Sequence, residues 1–143
     1  MRFSKASTYG LFAVRYIAEH DANEPVQGRA IADSYGIPLE YLLKILQQLV
    51  RAQVVLSERG PHGGFRLRKS PGETTVLEIV EALEGALTGE IPVLGAETEE
   101  DGTRGIIETL CEESNQFTRS LLGATNVGHL INSKSSALPQ ARV

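Results

Sequence analysis

Residues 39–53 combine regularly spaced apolar residues with a polar side, and this pattern limits the folds open to the chain. Apolar residues recur there at spacings of three and four, which is the pattern of an α-helix with one buried side. The apolar positions are Leu39, Leu42, Leu43, Leu46, Leu49 and Val50. The helix predicted from Leu39 to about Gln53 is the most clearly marked element in the sequence.

A shorter helix and a turn precede this element. Residues 29–35 predict a helix, and Gly36 ends it, because glycine readily adopts the left-handed backbone found just past a helix. Pro38 suits the start of the next helix. This order predicts a helix-turn-helix, with one more amphipathic helix ahead of it at residues 6–20.

A hairpin follows the second helix. Residues 54–58 and 65–69 predict two short strands, and the RGPHGG loop between them contains a proline and three glycines that suit a tight turn. A helix-turn-helix followed by such a hairpin is typical of the winged-helix fold. We therefore predict a mainly α fold with a small β wing, in which a C-terminal dimerisation helix follows the winged helix-turn-helix.

Positive charge is concentrated in this half of the chain. Residues 1–72 hold ten lysines and arginines against six acidic residues, whereas residues 73–143 hold four against twelve. Side chains that bind base edges or phosphates lie on the polar side of helix 39–53 and on the hairpin. On the helix these are Lys44, Gln47, Gln48 and Arg51, which share the polar side with Glu40, and Tyr41 lies near the helix start; the hairpin carries Arg59, His62, Arg66 and Arg68. Taken alone, the polar side of the helix is explained by ordinary exposure to solvent. The arginine-rich hairpin that follows the helix favours DNA binding instead.

The acidic half predicts two further helices. Thr75 and Glu78 form a capping-box pair at the start of a helix that extends to about Leu87, and residues 88–105 predict a surface loop. The next helix repeats apolar residues at alternating spacings of three and four, which resembles a heptad seam. The seam consists of Ile107, Leu110, Phe117 and Leu121, interrupted by Ser114. Either contact with a second copy or packing within one chain would explain this apolar seam.

The predicted organisation is a winged helix-turn-helix DNA-binding domain at residues 1–72, dimerisation helices with their loop at residues 73–132, and a flexible tail at residues 133–143. No apolar run approaches the roughly 18 residues that a membrane helix needs. No catalytic motif is present, and the histidines lack metal-ligand spacing. We therefore expect a cytoplasmic protein that is not an enzyme, binds no metal and contacts no membrane.

Three segments together resemble the Rrf2 family of bacterial winged-helix regulators, which includes regulators of iron-sulfur clusters, nitric oxide and cysteine metabolism. They are MRFSKASTYGLFAVRYIA, IADSYGIPLEYLLKILQQLVRAQVVLSERGPHGGFRL and TVLEIVEALEG. The most specific motif is the glycine-rich wing after the leucine-rich helix. The resemblance implies a homodimer on a palindromic operator in double-stranded DNA, with each recognition helix in the major groove, each wing in the minor groove, and repression as the outcome.

The resemblance also implies roles for single residues. Tyr41, Lys44 and Gln48 would face the major groove, Arg59 would be the wing arginine, and Arg2 and Lys5 would contact phosphate. The full set of predicted DNA-binding residues is Arg2, Lys5, Tyr41, Lys44, Gln48, Arg51, Arg59, His62 and Arg66. Gln53 and His62 depart from the family pattern, which usually has glycine at both positions.

The sensor segment differs from that of cluster-binding relatives. Those relatives carry three cysteines in the loop before the dimer helix, whereas this sequence has one cysteine, Cys111, and none in residues 88–105. A cluster held by thiolates typically needs four ligands, and two copies offer two. We therefore predict no iron-sulfur cluster and no other cofactor. Cys111 is either a buried small apolar residue or a redox switch between subunits.

The sequence thus predicts a dimeric, sequence-specific transcription regulator, with DNA and a second copy of the chain as its partners. The signal stays open between an effector ligand and a partner enzyme. The alternative function is a protein-interaction module or enzyme-docking regulator, built on a winged-helix scaffold that has lost operator binding.

Overall fold

The computed structural model describes residues 1–95, 102–132 and 138. Within them the chain forms six α-helices and one two-stranded antiparallel sheet. In chain order the elements are α1 (Lys5–His20), α2 (Gly28–Tyr35), α3 (Leu39–Arg51), β1 (Val55–Glu58), β2 (Gly64–Leu67), α4 (Val76–Glu84), α5 (Thr103–Ala124) and α6 (Val127–Ile131). The predicted class, mainly α with a small β wing, is confirmed.

One apolar core joins α1, α2 and α3. Its fully buried side chains include Ile17, Ile31, Leu42, Ile45, Leu46 and Leu49. The predicted apolar side of α3 is therefore the buried side, and burial of each such side chain contributes about 1.5–3 kcal/mol. Gly36 separates α2 from α3 with a φ of 64°, and the Ile37 amide donates to the Ala32 carbonyl. The predicted turn of the helix-turn-helix is confirmed.

A left-handed residue that is not glycine closes the C-terminus of α3. Gln53 has a φ of 62°, and its amide donates to the Val50 carbonyl. The Val54 amide donates to the Leu49 carbonyl over 2.9 Å. These two bonds form a Schellman motif, which satisfies carbonyls that the last helical turn leaves unpaired. Glycine enters this conformation without a Cβ clash, so Gln53 occupies a position that suits glycine better.

We expect Gln53→Gly to raise the free energy of unfolding by about 0.5–1 kcal/mol. A left-handed backbone costs a residue with a Cβ roughly 1–2 kcal/mol, and the greater freedom of glycine in the unfolded chain offsets about 0.4–1 kcal/mol of that gain. Urea unfolding followed by circular dichroism measures the change. Gln47→Gly, inside α3, is the matched control and should lower stability by about 1 kcal/mol. A loss of stability in Gln53→Gly would contradict this account of the helix end.

The hairpin of β1 and β2 forms the wing. The strands pair in antiparallel register, with Glu58 opposite Gly64. The loop closes through a turn in which the Gly63 amide donates to the Gly60 carbonyl over 3.0 Å. A Cβ at Gly63 would overlap the Glu58 carbonyl, so this turn requires glycine. The predicted hairpin is therefore confirmed, with strands slightly shorter than predicted.

A residue from outside the hairpin attaches the wing to the helices. Val26 and Phe65 exchange backbone hydrogen bonds of 2.9 and 2.8 Å. Gly64 lies against the Val26 carbonyl, which a Cβ would overlap. The sequence did not predict this bridge, because a single extended residue forms no periodic pattern. It fixes β2 to the segment between α1 and α2.

Helices from the acidic half pack on the same core. Ile79 of α4 and Val127 of α6 are fully buried in it. The Val127 amide donates to the Thr74 carbonyl over 2.9 Å, and the Val76 amide donates to the Thr125 carbonyl over 2.8 Å. These bonds join the start of α4 to the start of α6. The division after residue 72 stays a prediction about function, because both sides of it share this core.

Two predicted boundaries were wrong. α4 ends at Glu84 rather than near Leu87, because Gly85 leaves the helical backbone with a φ of 86°. α5 begins at Thr103, within the stretch predicted as a loop, and a 2.8 Å ion pair between Arg104 and Glu108 supports its first turns. The tail predicted at residues 133–143 lies outside the described residues, apart from Leu138.

Candidate nucleic-acid interface

The solvent side of α3 carries a polar stripe, which we call the α3 stripe. It consists of Glu40, Lys44, Gln47 and Arg51, all exposed and at helical spacings of three and four, opposite the buried side of the helix. Gln48 is exposed beside the stripe. Among the described residues, no ion pair engages Lys44 or Arg51. Their charges are therefore available to a partner from outside the chain.

Aromatic contacts place the first turn of α1 beside the start of α3. The ring of Tyr41 is half-buried and meets Tyr9 edge to face, with ring centroids 5.7 Å apart. The Lys5 ammonium lies 5.7 Å from the centroid of the Tyr9 ring. Lys5 and Tyr41 thus both lie against the Tyr9 ring, and Arg2 is exposed ahead of α1. Contact of these three residues with DNA stays a prediction.

The segment before α1 is tied to the end of α4. The Ser4 hydroxyl caps α1 by accepting from the Ser7 amide over 3.0 Å. The Ser4 amide donates to the Glu84 carboxylate over 3.1 Å. Hydrogen bonding from Ser4 lowers the pKa of Glu84 below its ordinary value of 4.5. The Glu84 carboxylate therefore joins the N-terminal segment to the end of α4.

The wing loop presents two of the predicted DNA-binding residues to solvent. Arg59 and His62 are both exposed, and within the described part of the chain Arg59 forms no ion pair. His62 borders an open groove together with His20 of α1 and Gln27, which precedes α2. The wing loop therefore lies beside the start of α2. An unpaired arginine on such a loop can bind phosphate or enter a minor groove.

Arg66 has a different placement from the other predicted DNA-binding residues. Its Nε donates to the Glu58 carboxylate over 3.1 Å, and its guanidinium also donates to the backbone carbonyls of Asp21 and Asn23. The Asp21 carboxylate in turn accepts from the Leu67 amide over 3.0 Å. These bonds attach β2 to the loop after α1. This placement favours a structural role for Arg66 over the DNA contact predicted for it.

The helix α5 is anchored at one end and leaves an apolar seam open. Leu122 is buried against Val76 and Val80 of α4. In contrast, Leu110 is 60% exposed and Phe117 is 51% exposed. Ile106 and Ile107 are also exposed, Leu121 is half-buried, and Cys111 is half-buried beside the seam. Packing within the described part of the chain thus leaves most of the predicted heptad seam uncovered.

The sequence pattern showed Gln47 on the polar side of α3 without assigning it a contact, and it missed Ile106. Gln47 lies in the middle of the α3 stripe, and helical spacing from Lys44 was the signal that could have assigned it. Ile106 lies one helical turn before Leu110, at a spacing of four, but the alternating repeat counted from Ile107 did not include it. In the part of the chain that the structure describes, no group of three His, Cys, Asp or Glu side chains is placed to hold a metal ion. None of the described helices is both long and apolar enough to cross a bilayer.

Solved structures of bacterial regulators have this arrangement of elements. CymR of B. subtilis, the global cysteine regulator, matches with a TM-score of 0.76, covering 94% of this chain and 99% of its own at 24% identity. IscR of T. potens matches with a TM-score of 0.71, covering 98% and 93% of the two chains at 23% identity. At these identities the likeness shows the fold, and it confirms the winged helix with its C-terminal helices.

Sequence comparison identifies the family. The HTH-type transcriptional regulator IscR of Aliivibrio salmonicida is 30% identical over 131 residues, which cover 92% of this chain and 77% of that protein. BadM of Rhodopseudomonas palustris, named as an HTH-type transcriptional regulator, is 40% identical over 84 residues, and this chain spans only 53% of its length. The Rrf2 family model, described as an iron-dependent transcriptional regulator, matches residues 3–133. The chain therefore belongs to the Rrf2 family of winged-helix, DNA-binding transcription regulators.

Proposed function

We propose that this protein is a homodimeric repressor that binds a palindromic operator through α3 and the wing. The observation that carries the proposal is the set of exposed cations without ion pairs in the described chain: Lys44 and Arg51 on α3, and Arg59 on the wing loop. Exposed lysine and arginine side chains neutralise phosphates, and Gln47 and Gln48 between them are able to read base edges. This combination is suited to DNA recognition.

The open seam on α5 supports a symmetric dimer. Leu110 and Phe117 expose large apolar side chains that a second copy of the same seam would cover. A twofold dimer presents two α3 helices to DNA, and the matching half-sites then lie about 34 Å apart or at a multiple of that distance. Such symmetry explains why the operator would be palindromic.

The donor set of this chain does not fit a thiolate-held iron cluster, although the family is described as iron-dependent. The sequence offers one cysteine, Cys111, on the middle of α5, and no cysteine in the segment before that helix. We therefore propose regulation without such a cluster, with an effector ligand or a partner enzyme as the signal. The protein would act in the cytoplasm, where it reaches DNA, and without catalysing a reaction.

Selection of bound fragments from the source genome by the purified protein tests this function. We expect palindromic fragments to be enriched, and transcription in vitro from a promoter that carries one of them to fall when the protein is added. Lys44→Ala should reduce both effects. Arg119→Ala, which removes a cation that pairs with Glu81 on the acidic half, is the matched control and should change neither. If no fragment were enriched and a lysate pull-down with the same protein returned a specific enzyme, the interaction-module function would replace this proposal.

A further inference from the structure

The α3 stripe contains one residue whose charge opposes DNA binding. Glu40 is the only acidic residue of α3, it lies in the first turn, and it is exposed. No hydrogen bond or ion pair to a described residue engages its carboxylate, although Lys44 lies one turn further along the same stripe. A negative charge on a surface that approaches phosphates weakens binding unless the carboxylate finds a donor on the DNA.

The position of Glu40 restricts which donor that is. In a helix-turn-helix the N-terminal residues of the recognition helix contact base edges in the major groove, and Glu40 is the second residue of α3. A carboxylate accepts hydrogen bonds and donates none. In the major groove, guanine and thymine present hydrogen-bond acceptors, with which a carboxylate cannot pair. Adenine presents an amino donor, but its N7 acceptor lies next to that donor. The cytosine N4 amino group is the donor that a carboxylate reads best.

We propose that Glu40 determines operator specificity by accepting a hydrogen bond from the N4 amino group of one cytosine in each half-site. At that position the carboxylate repels the carbonyl oxygens of thymine and guanine. It also weakens binding to all DNA that lacks the cytosine, so it raises the ratio of specific to non-specific affinity. This inference rests on the proposed function, because it requires α3 to enter the major groove.

A structural role for Glu40 predicts a different result. Pro38 precedes α3 as its N-cap and supplies no side-chain cap, so an acidic residue in the first turn also stabilises the helix through its dipole. If that were the only role, Glu40→Ala would lower the thermal midpoint and weaken all DNA sequences alike. Glu40→Gln keeps the shape of the side chain while removing its charge, and glutamine reads adenine through N6 and N7. The base preference of the Glu40 variants therefore distinguishes a role in specificity from a role in helix stability.

The experiment measures the affinity of the dimer for a selected operator and for variants with each base pair of both half-sites replaced in turn. For the wild type we expect one symmetric cytosine whose replacement weakens binding by roughly 5- to 150-fold. In Glu40→Ala that penalty should fall to about twofold at this position only, while affinity for unrelated DNA rises several-fold. Glu40→Gln should shift the preference there toward adenine. Asp33→Ala, an exposed residue of α2 with the same change in charge, is the control and should keep the wild-type base profile.

The outcomes are distinct. A wild-type protein that binds the operator specifically, with a base profile that Glu40→Ala leaves unchanged at every position, would overturn the specificity role of Glu40. If Glu40→Ala also lowered the affinity for every sequence by the same factor, that uniform loss would assign Glu40 to helix stability instead. Failure of the wild type to prefer any sequence would overturn the proposed function itself.

Discussion

Leu110→Asp should make the protein monomeric and weaken operator binding by at least about 100-fold. Leu110 is 60% exposed on α5, so the substitution leaves the core of the single chain intact. In the proposed dimer each seam would then bury an unpaired carboxylate, which costs several kcal/mol at each of two symmetric positions. A monomer offers one recognition helix per binding event, so it loses the second half-site.

Analytical ultracentrifugation measures the oligomeric state of this variant, and fluorescence anisotropy with a labelled operator measures its affinity. Thr109→Asp introduces the same charge at a neighbouring exposed position outside the seam, and it should remain dimeric with wild-type affinity. Circular dichroism should show that both variants keep their helices. A dimeric Leu110→Asp protein with unchanged affinity would show that the seam on α5 does not form the interface.

Arg59→Ala should weaken operator binding by about 1–3 kcal/mol, which is roughly 5- to 150-fold. The Arg59 side chain is exposed on the wing loop and forms no ion pair within the described chain, so the effect on stability should be small. If Arg59 reads a groove, the loss should depend on the operator sequence. If it binds phosphate, the loss should be the same for all DNA sequences. The slope of log affinity against log salt concentration should then decrease in magnitude by about one.

Arg68→Ala is the matched control for this variant. Arg68 is an exposed arginine of the same hairpin, but it follows the end of β2 instead of lying in the wing loop. We expect its replacement to cost less affinity than that of Arg59, although the change in net charge is identical. Equal affinities for the wild type and Arg59→Ala would remove the wing loop from DNA recognition.

The α-helical part of the fold could be predicted from the sequence wherever a periodic pattern or a capping signal was present. The apolar repeat of α3, the Gly36 turn and the pairing of Thr75 with Glu78 each have a local physical cause, and each forms as expected. The end of α4 was misplaced because its apolar pattern continues to Leu87, while the Gly85 backbone departs from the helix first.

Features that depend on tertiary contacts could not be predicted from the sequence. The Val26 bridge to Phe65 comes from one residue, and the bonds of Arg66 join segments that are far apart in the chain. The sequence assigned Arg66 and Arg59 the same role because both are positively charged residues of the hairpin. Only the hydrogen-bond partners of Arg66 distinguish it, as an arginine that anchors the wing, from the exposed Arg59. The openness of the α5 seam likewise depends on where α4 packs, which no local pattern specifies.

A titration of a selected palindromic operator, beside the same DNA with one half-site scrambled, tests whether a dimer recognises two half-sites at once. We expect two chains to bind each intact operator, much weaker binding to the scrambled DNA, and an affinity that falls steeply with salt because several phosphates release counterions. Binding of a single chain with equal affinity for both DNAs and little dependence on salt would contradict recognition by a dimer through α3 and the wing.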